Sequence, residues 1–202
     1  MKFLKAPIAM TDIAAKQDLI LRYETRQAQK LADKVIFKPP LTVWYILIPV
    51  IFVYYFYRLN RYTSGRKEFV DHFMLSRRRA IEAAAECAAR DRPASIDTLV
   101  SQARVPAEAT GPYKAFARVL VEHYMDLFKA AGRDYDTLVR AAYRTRGNYL
   151  IFLNRLGQVE KELDKALAPG LSAEHPAVGE TIALIEEQAT RLRRAEAERV
   201  FP

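Results

Sequence analysis

The residues able to do acid–base or metal chemistry are few. The chain of 202 residues carries three histidines, His72, His123 and His175, and one cysteine, Cys87. Histidine titrates near neutral pH and ligates metals, so each is a first candidate for a base or a ligand. Their spacing argues against both roles. There is no His-Glu-x-x-His and no Glu-x-x-His, the pair that sets two inward ligands on one helix face in di-iron bundles. Glu68 and His72 stand four residues apart, and Glu122 and Asp126 flank His123; both sets fit solvated i,i+4 pairs. A lone cysteine builds neither a structural zinc site nor an intrachain disulfide. Cys87 lies among alanines, Ala83 to Ala89, which suits a small buried residue. The glycines form no GxGxxG or Walker cradle for phosphate, and no GxSxG nucleophile turn occurs. The sequence therefore predicts no catalytic set, no metal site and no cofactor.

Charge is the stronger signal. Residues 1–79 hold 15 Lys+Arg and 6 Asp+Glu, whereas residues 80–202 hold 17 and 18. The whole formal charge of +8 thus comes from the first part of the chain. Arg77-Arg78-Arg79 is the densest basic run. On a helix lying along a bilayer it would meet anionic headgroups, each contact contributing roughly 1 kcal/mol. A nucleic-acid interface needs a basic face on the folded domain, and the nearly neutral balance after residue 79 argues against one.

The same basic part of the chain contains the longest uncharged run. Leu41 to Tyr57 is 17 residues, ten of them Leu, Ile, Val or Phe. A helix of that length rises about 26 Å, the short end of what a bilayer core of about 30 Å requires. Trp44 and Tyr45 near one end, and Tyr54, Tyr55 and Tyr57 near the other, have the amphipathic rings that favour headgroup depth. Arg58 and Arg61 are placed to snorkel. Pro39 and Pro40 stop a helix arriving from the N-terminal side. The run is expected to anchor the protein in a membrane of bacterial inner-membrane type. Two arrangements fit: a single-pass helix, or a re-entrant wedge broken at Pro49. Five Lys/Arg lie in residues 21–40 and six in residues 58–78, too even a split for the positive-inside rule to choose. In both arrangements the C-terminal part is expected in the cytoplasm.

The elements around the run read as helices. Ala14, Leu21, Ala28, Leu31, Ala32 and Val35 line one side of an amphipathic helix over 11–37. After the run, Phe69, Val70, Phe73, Met74, Ala80, Ile81, Ala84 and Ala88 recur at helical spacing. A short helix at about 95–103 follows, with Ser95 or Asp97 as cap and Gly111-Pro112 in the loop beyond. Three helices come next: one carrying Tyr113, Phe116, Leu120, Tyr124 and Leu127, one capped by Asp134, and one capped by Asn148 and closed by Pro169-Gly170. In the last helix Val178, Ile182, Ile185, Ala189 and Leu192 alternate by four and three, a coiled-coil seam suited to its own domain or to a partner helix. No stretch alternates in the manner of a strand. The expected fold is all-α: an N-terminal amphipathic and basic segment (1–38), a membrane segment (39–62) and a helical soluble domain (63–202).

These features point to a membrane-anchored helical adaptor or small structural subunit. Its expected partners are a bilayer with anionic headgroups and a protein partner or second copy of the chain. The alternative is a membrane-surface enzyme or enzyme accessory, with a site between the helical domain and the headgroups that uses His72 and Arg77–Arg79.

Overall fold

The computed structural model describes residues 10–35, 65–90, 95–172 and 178–202, and these hold seven helices and no strand. Apolar periodicity explains the first pair. α1 (Met10–Val35) buries Ile13, Ile20, Ala28, Leu31, Ala32 and Val35, and α2 (Gly65–Arg90) buries Phe69, Phe73, Met74, Ala80, Ile81 and Ala84. The fully buried alanines in both helices allow their backbones a close approach.

Local chemistry fixes the helix ends. Ser95 caps α3 (Ile96–Ala103) by accepting from the Thr98 N–H, and Arg104, with a left-handed φ of 51°, stops it. α4 (Ala107–Lys129) starts after Pro106. The loop expected at Gly111-Pro112 is instead the second turn of this helix. Pro112 is the sixth residue of the helix, past the four N–H groups that lack intrahelical partners, so its ring removes the bond to the carbonyl of the exposed Glu108 near the helix start. Asp134 caps α5 (Tyr135–Tyr143) through a reciprocal pair with Thr137, as the sequence predicts. Gly132 is required there, because a Cβ would meet Thr137 Oγ1 at 2.7 Å and the Leu138 nitrogen at 2.8 Å. The cap of α6 (Arg146–Ser172) is Thr145, whose hydroxyl accepts from the Asn148 N–H. Asn148, the expected cap, donates its side-chain amide to the Tyr143 carbonyl at 2.9 Å. The helix also continues past Pro169 and Gly170, expected to close it, to Ser172. α7 (Val178–Val200) closes the chain.

The five long helices form a ring: α1 packs on α2, α2 on α4, α4 on α6, α6 on α7, and α7 back on α1. α6 and α7 run antiparallel, as Arg146–Glu198, Glu160–Arg193 and Lys161–Glu186 require. One apolar core fills the ring, from Ile20 and Ile81 to Leu120, Phe128 and Leu153. Burying a side chain such as Ile20 contributes about 1.5–3 kcal/mol.

One expectation changes here, and another falls outside the described residues. The division of the chain into a separate segment 1–38 and a domain from 63 is corrected, because α1 supplies one wall of the shared core. The membrane segment 39–62 lies outside the described residues, with Trp44, Tyr45, Pro49, Tyr54, Tyr55, Tyr57, Arg58 and Arg61. Among the described residues no helix is long and apolar enough to cross a membrane.

Candidate functional site

A cluster of buried polar side chains interrupts the apolar core of the ring. α1 brings Glu24 inward, one turn beyond Ile20, and α2 brings Arg77. The Arg77 guanidinium donates from Nε to Glu24 Oε2 at 3.1 Å and from Nη2 to Glu160 Oε1 at 3.0 Å, and lies 3.9 Å over the Phe73 ring. Arg193 on α7 donates to the other oxygen of Glu160. Gly157, one turn before Glu160, leaves room for this, since a Cβ there would stand 3.3 Å from Arg193 Nη1. The result is an alternating chain, Glu24–Arg77–Glu160–Arg193, joining α1, α2, α6 and α7. Arg77 is only 4% exposed and Glu24 9%. Burial alone would push the Glu160 carboxyl up, but Arg193 and Arg77 outweigh it and hold it below the ordinary carboxylate range. Burial likewise disfavours the Arg77 cation, and Glu24 and Glu160 more than offset it.

A second group adjoins the first. The Tyr23 ring stacks on Tyr135 with centroids 3.4 Å apart, and Tyr149 donates its hydroxyl to the buried Glu196. Burial raises the Glu196 carboxyl despite hydrogen bonds from Tyr149 and Tyr23. His123 stacks on Phe152 at 4.2 Å, with Nδ1 2.6 Å from the Tyr143 hydroxyl. Burial, then the nearby Arg77 charge, push its pKa down to about 3, so the imidazole stays neutral at physiological pH. The Tyr124 hydroxyl is fully buried and makes no hydrogen bond of normal geometry among the described residues.

These groups line a cavity of about 70 Å³ that includes Tyr23, Glu24, Arg77, His123 and Glu196. It adjoins a larger one of about 290 Å³, bounded by Leu31, Phe116, Leu163 and Ile185 and by the carboxyl of Asp164; Phe73, Arg77 and Arg193 border both. Burial, reinforced by Glu160 and Glu186, pushes Asp164 up to about 8, so at neutral pH it is mostly a neutral carboxylic acid able to donate a proton. Among the described residues no group of three or more His, Cys, Asp or Glu is arranged to hold a metal ion.

The sequence-predicted residues are distributed differently from expectation. Arg77 is corrected as a headgroup contact: its guanidinium is buried and committed to two carboxylates. Arg78 is exposed, and Arg79 is half-buried and donates to the Gln102 carbonyl at 3.2 Å. The seam residues Ile182, Ile185, Ala189 and Leu192 pack on the bundle's own core, which corrects their reading as a partner-helix surface. Val178 begins α7, with its side chain outside the described residues, as is His175. Cys87 is buried, as expected, and Glu122 pairs with Arg155 at the surface. The residues missed from sequence are Glu24, Glu160, Arg193 and Glu196. Two had a signal: Glu24 falls on the apolar stripe between Ile20 and Ala28, and Glu196 is the next position of the seam after Leu192. Comparison with protein families, with curated proteins and with solved structures finds no match to this chain.

Proposed function

We propose that the protein is a membrane-anchored helical adaptor or small structural subunit, with the helical bundle held at the bilayer on the cytoplasmic side by residues 39–62 and joined there to a larger assembly. The observation that carries this reading is the uncharged run Leu41–Tyr57, framed by aromatic and basic residues and joined at both ends to helices of one core. Whatever holds that run holds the whole bundle. Among the described residues the large apolar side chains left exposed are Ile151 and Leu184, so docking through the bundle would use its charged surface.

Trp44 is the single tryptophan of the chain, which makes the anchor directly observable. Mixing the protein with vesicles of mixed anionic and zwitterionic lipid is expected to blue-shift its fluorescence. Lipids brominated near the headgroup are expected to quench it more than lipids brominated at the chain ends. An unshifted spectrum, together with release of the protein from membranes by alkaline washing, would remove the anchor. Co-purification in mild detergent, with Arg78→Glu as comparison, tests the assembly.

The second reading, a membrane-surface enzyme or accessory, is favoured by the paired cavities and the neutral Asp164. Its site then differs from the expected one, since Arg77 is bound within the bundle. Filling the larger cavity by Leu163→Trp is expected to abolish any stabilisation by small headgroup-like molecules in a melting assay. The absence of stabilisation by a panel of such molecules in the unmodified protein counts against this reading.

A further inference from the structure

Glu24 and Arg77 stand on opposite sides of the apolar run in sequence and 3.1 Å apart in space. Their helices are neighbours in the ring and share its core. A helix that crossed the bilayer once between them would leave α1 and α2 on opposite sides of a hydrocarbon layer about 30 Å thick. The Glu24–Arg77 pair, the Lys16 bond to the Phe128 carbonyl and the contact of α1 with α7 would all be impossible. Two full crossings need roughly 20 residues each and a turn. Only the 29 residues 36–64 separate Val35 from Gly65, and 17 of these form the uncharged run.

We propose that the protein is monotopic, held through one leaflet only, with all its described helices on one side of the membrane. The inference rests on the membrane anchorage proposed above and adds its topology. The flanking charges agree with it: near-equal numbers of Lys/Arg before and after the run suit two flanks kept on one side, where a single span favours asymmetry.

The test uses the full chain with Cys87→Ser and single cysteines at two exposed positions, Gln29→Cys on α1 and Ala131→Cys after α4. Intact cells and permeabilised cells are treated with a membrane-impermeant maleimide, and membranes are washed at alkaline pH in parallel. The expected result is a pelleted protein in which both cysteines escape labelling in intact cells and react after permeabilisation. Labelling of one site alone in intact cells, in a pelleted protein, overturns the one-leaflet topology and leaves the anchorage standing. Release by the alkaline wash overturns the anchorage and the topology with it. Labelling of both sites in intact cells supports entry through one leaflet and reverses the side assigned to the bundle. Arg26→Cys and Lys129→Cys, also exposed, form a second pair should either first variant fail to melt cooperatively.

Discussion

Arg77 donates to Glu160 across 83 residues of sequence, and through it α2 is tied to α6 at the centre of the bundle. Removing one partner of a buried ion pair leaves the other charge uncompensated, at a cost of about 3–5 kcal/mol. Arg77→Met is therefore expected to lower the unfolding free energy by roughly that amount, and adding Glu24→Gln is expected to recover part of it. Arg78→Met, one residue along on the exposed face, should change stability by less than about 0.5 kcal/mol. Urea unfolding of the three variants makes the comparison. Equal effects of Arg77→Met and Arg78→Met would mean that Arg77 faces solvent.

The carboxyls predict opposite pH dependences. Asp164 keeps its proton up to about pH 8 in the fold, whereas its ordinary value is 3.8. Its contribution is fully present below that ordinary value and is lost as pH rises towards 8. Glu160 is held below its ordinary value of 4.5, so its contribution is present above that value and is lost on further acidification. The melting temperature of Asp164→Asn should gain on the unmodified protein between pH 5 and 9. Glu160→Gln should fall behind it at pH 7, with the gap narrowing below pH 4. Parallel melting curves for Asp164→Asn and the unmodified protein across this range would show that Asp164 is solvated.

The N-terminal helix should matter as much as the middle of the chain. Ile20 is fully buried and Leu120 is 1% exposed. Each change to alanine is expected to cost about 2–5 kcal/mol. A fragment of residues 65–202 lacks the α1 wall and would expose the part of the shared core that α1 covers on α2, so it should aggregate or melt without cooperativity. Cooperative unfolding of that fragment, at the stability of the full chain, would place α1 outside the core.

Gly132→Ala is expected to destabilise the bundle by about 1–3 kcal/mol, because the new methyl group displaces Thr137 from the cap of α5. Gly111→Ala, with open space around its added carbon, should be neutral or mildly stabilising. Chemical denaturation of the two variants checks the contrast, and a neutral Gly132→Ala would show that the loop relaxes.

What sequence reveals here follows the range of the interaction. Ser95 and Asp134 are legible as caps because their partners, Thr98 and Thr137, are three residues away. Thr145 and Asn148 present two eligible caps within one turn, and only the position of the Tyr143 carbonyl decides between them. Pro112 reads as a breaker by residue type, while its tolerance depends on where the helix starts. The stripe of α2 is visible as apolar periodicity; that of α1 is visible from Ala28 onward, while before it Ile13 and Ile20 are buried in place of the expected Ala14 and Leu21. The charged centre is hidden because Glu24, Arg77, Glu160 and Arg193 each resemble surface residues until four helices bring them together. Hydropathy alone gives Lys16 to solvent, yet its amine reaches the Phe128 carbonyl from a buried position.

The ion chain also sets an order of events during synthesis. Arg77 leaves the ribosome 83 residues before Glu160, an interval of roughly 4–17 s at bacterial and eukaryotic elongation rates of about 5–20 residues per second. Throughout that interval the guanidinium has at most Glu24 to offset its desolvation, and the helices that complete the ring do not yet exist. The apolar run, by contrast, is available from residue 57 onward. The nascent chain therefore presents its uncharged run well before the core can close. A bundle in which the last helix locks the first, after the others have been made, is the assembly order that follows from the spacing of these four charges.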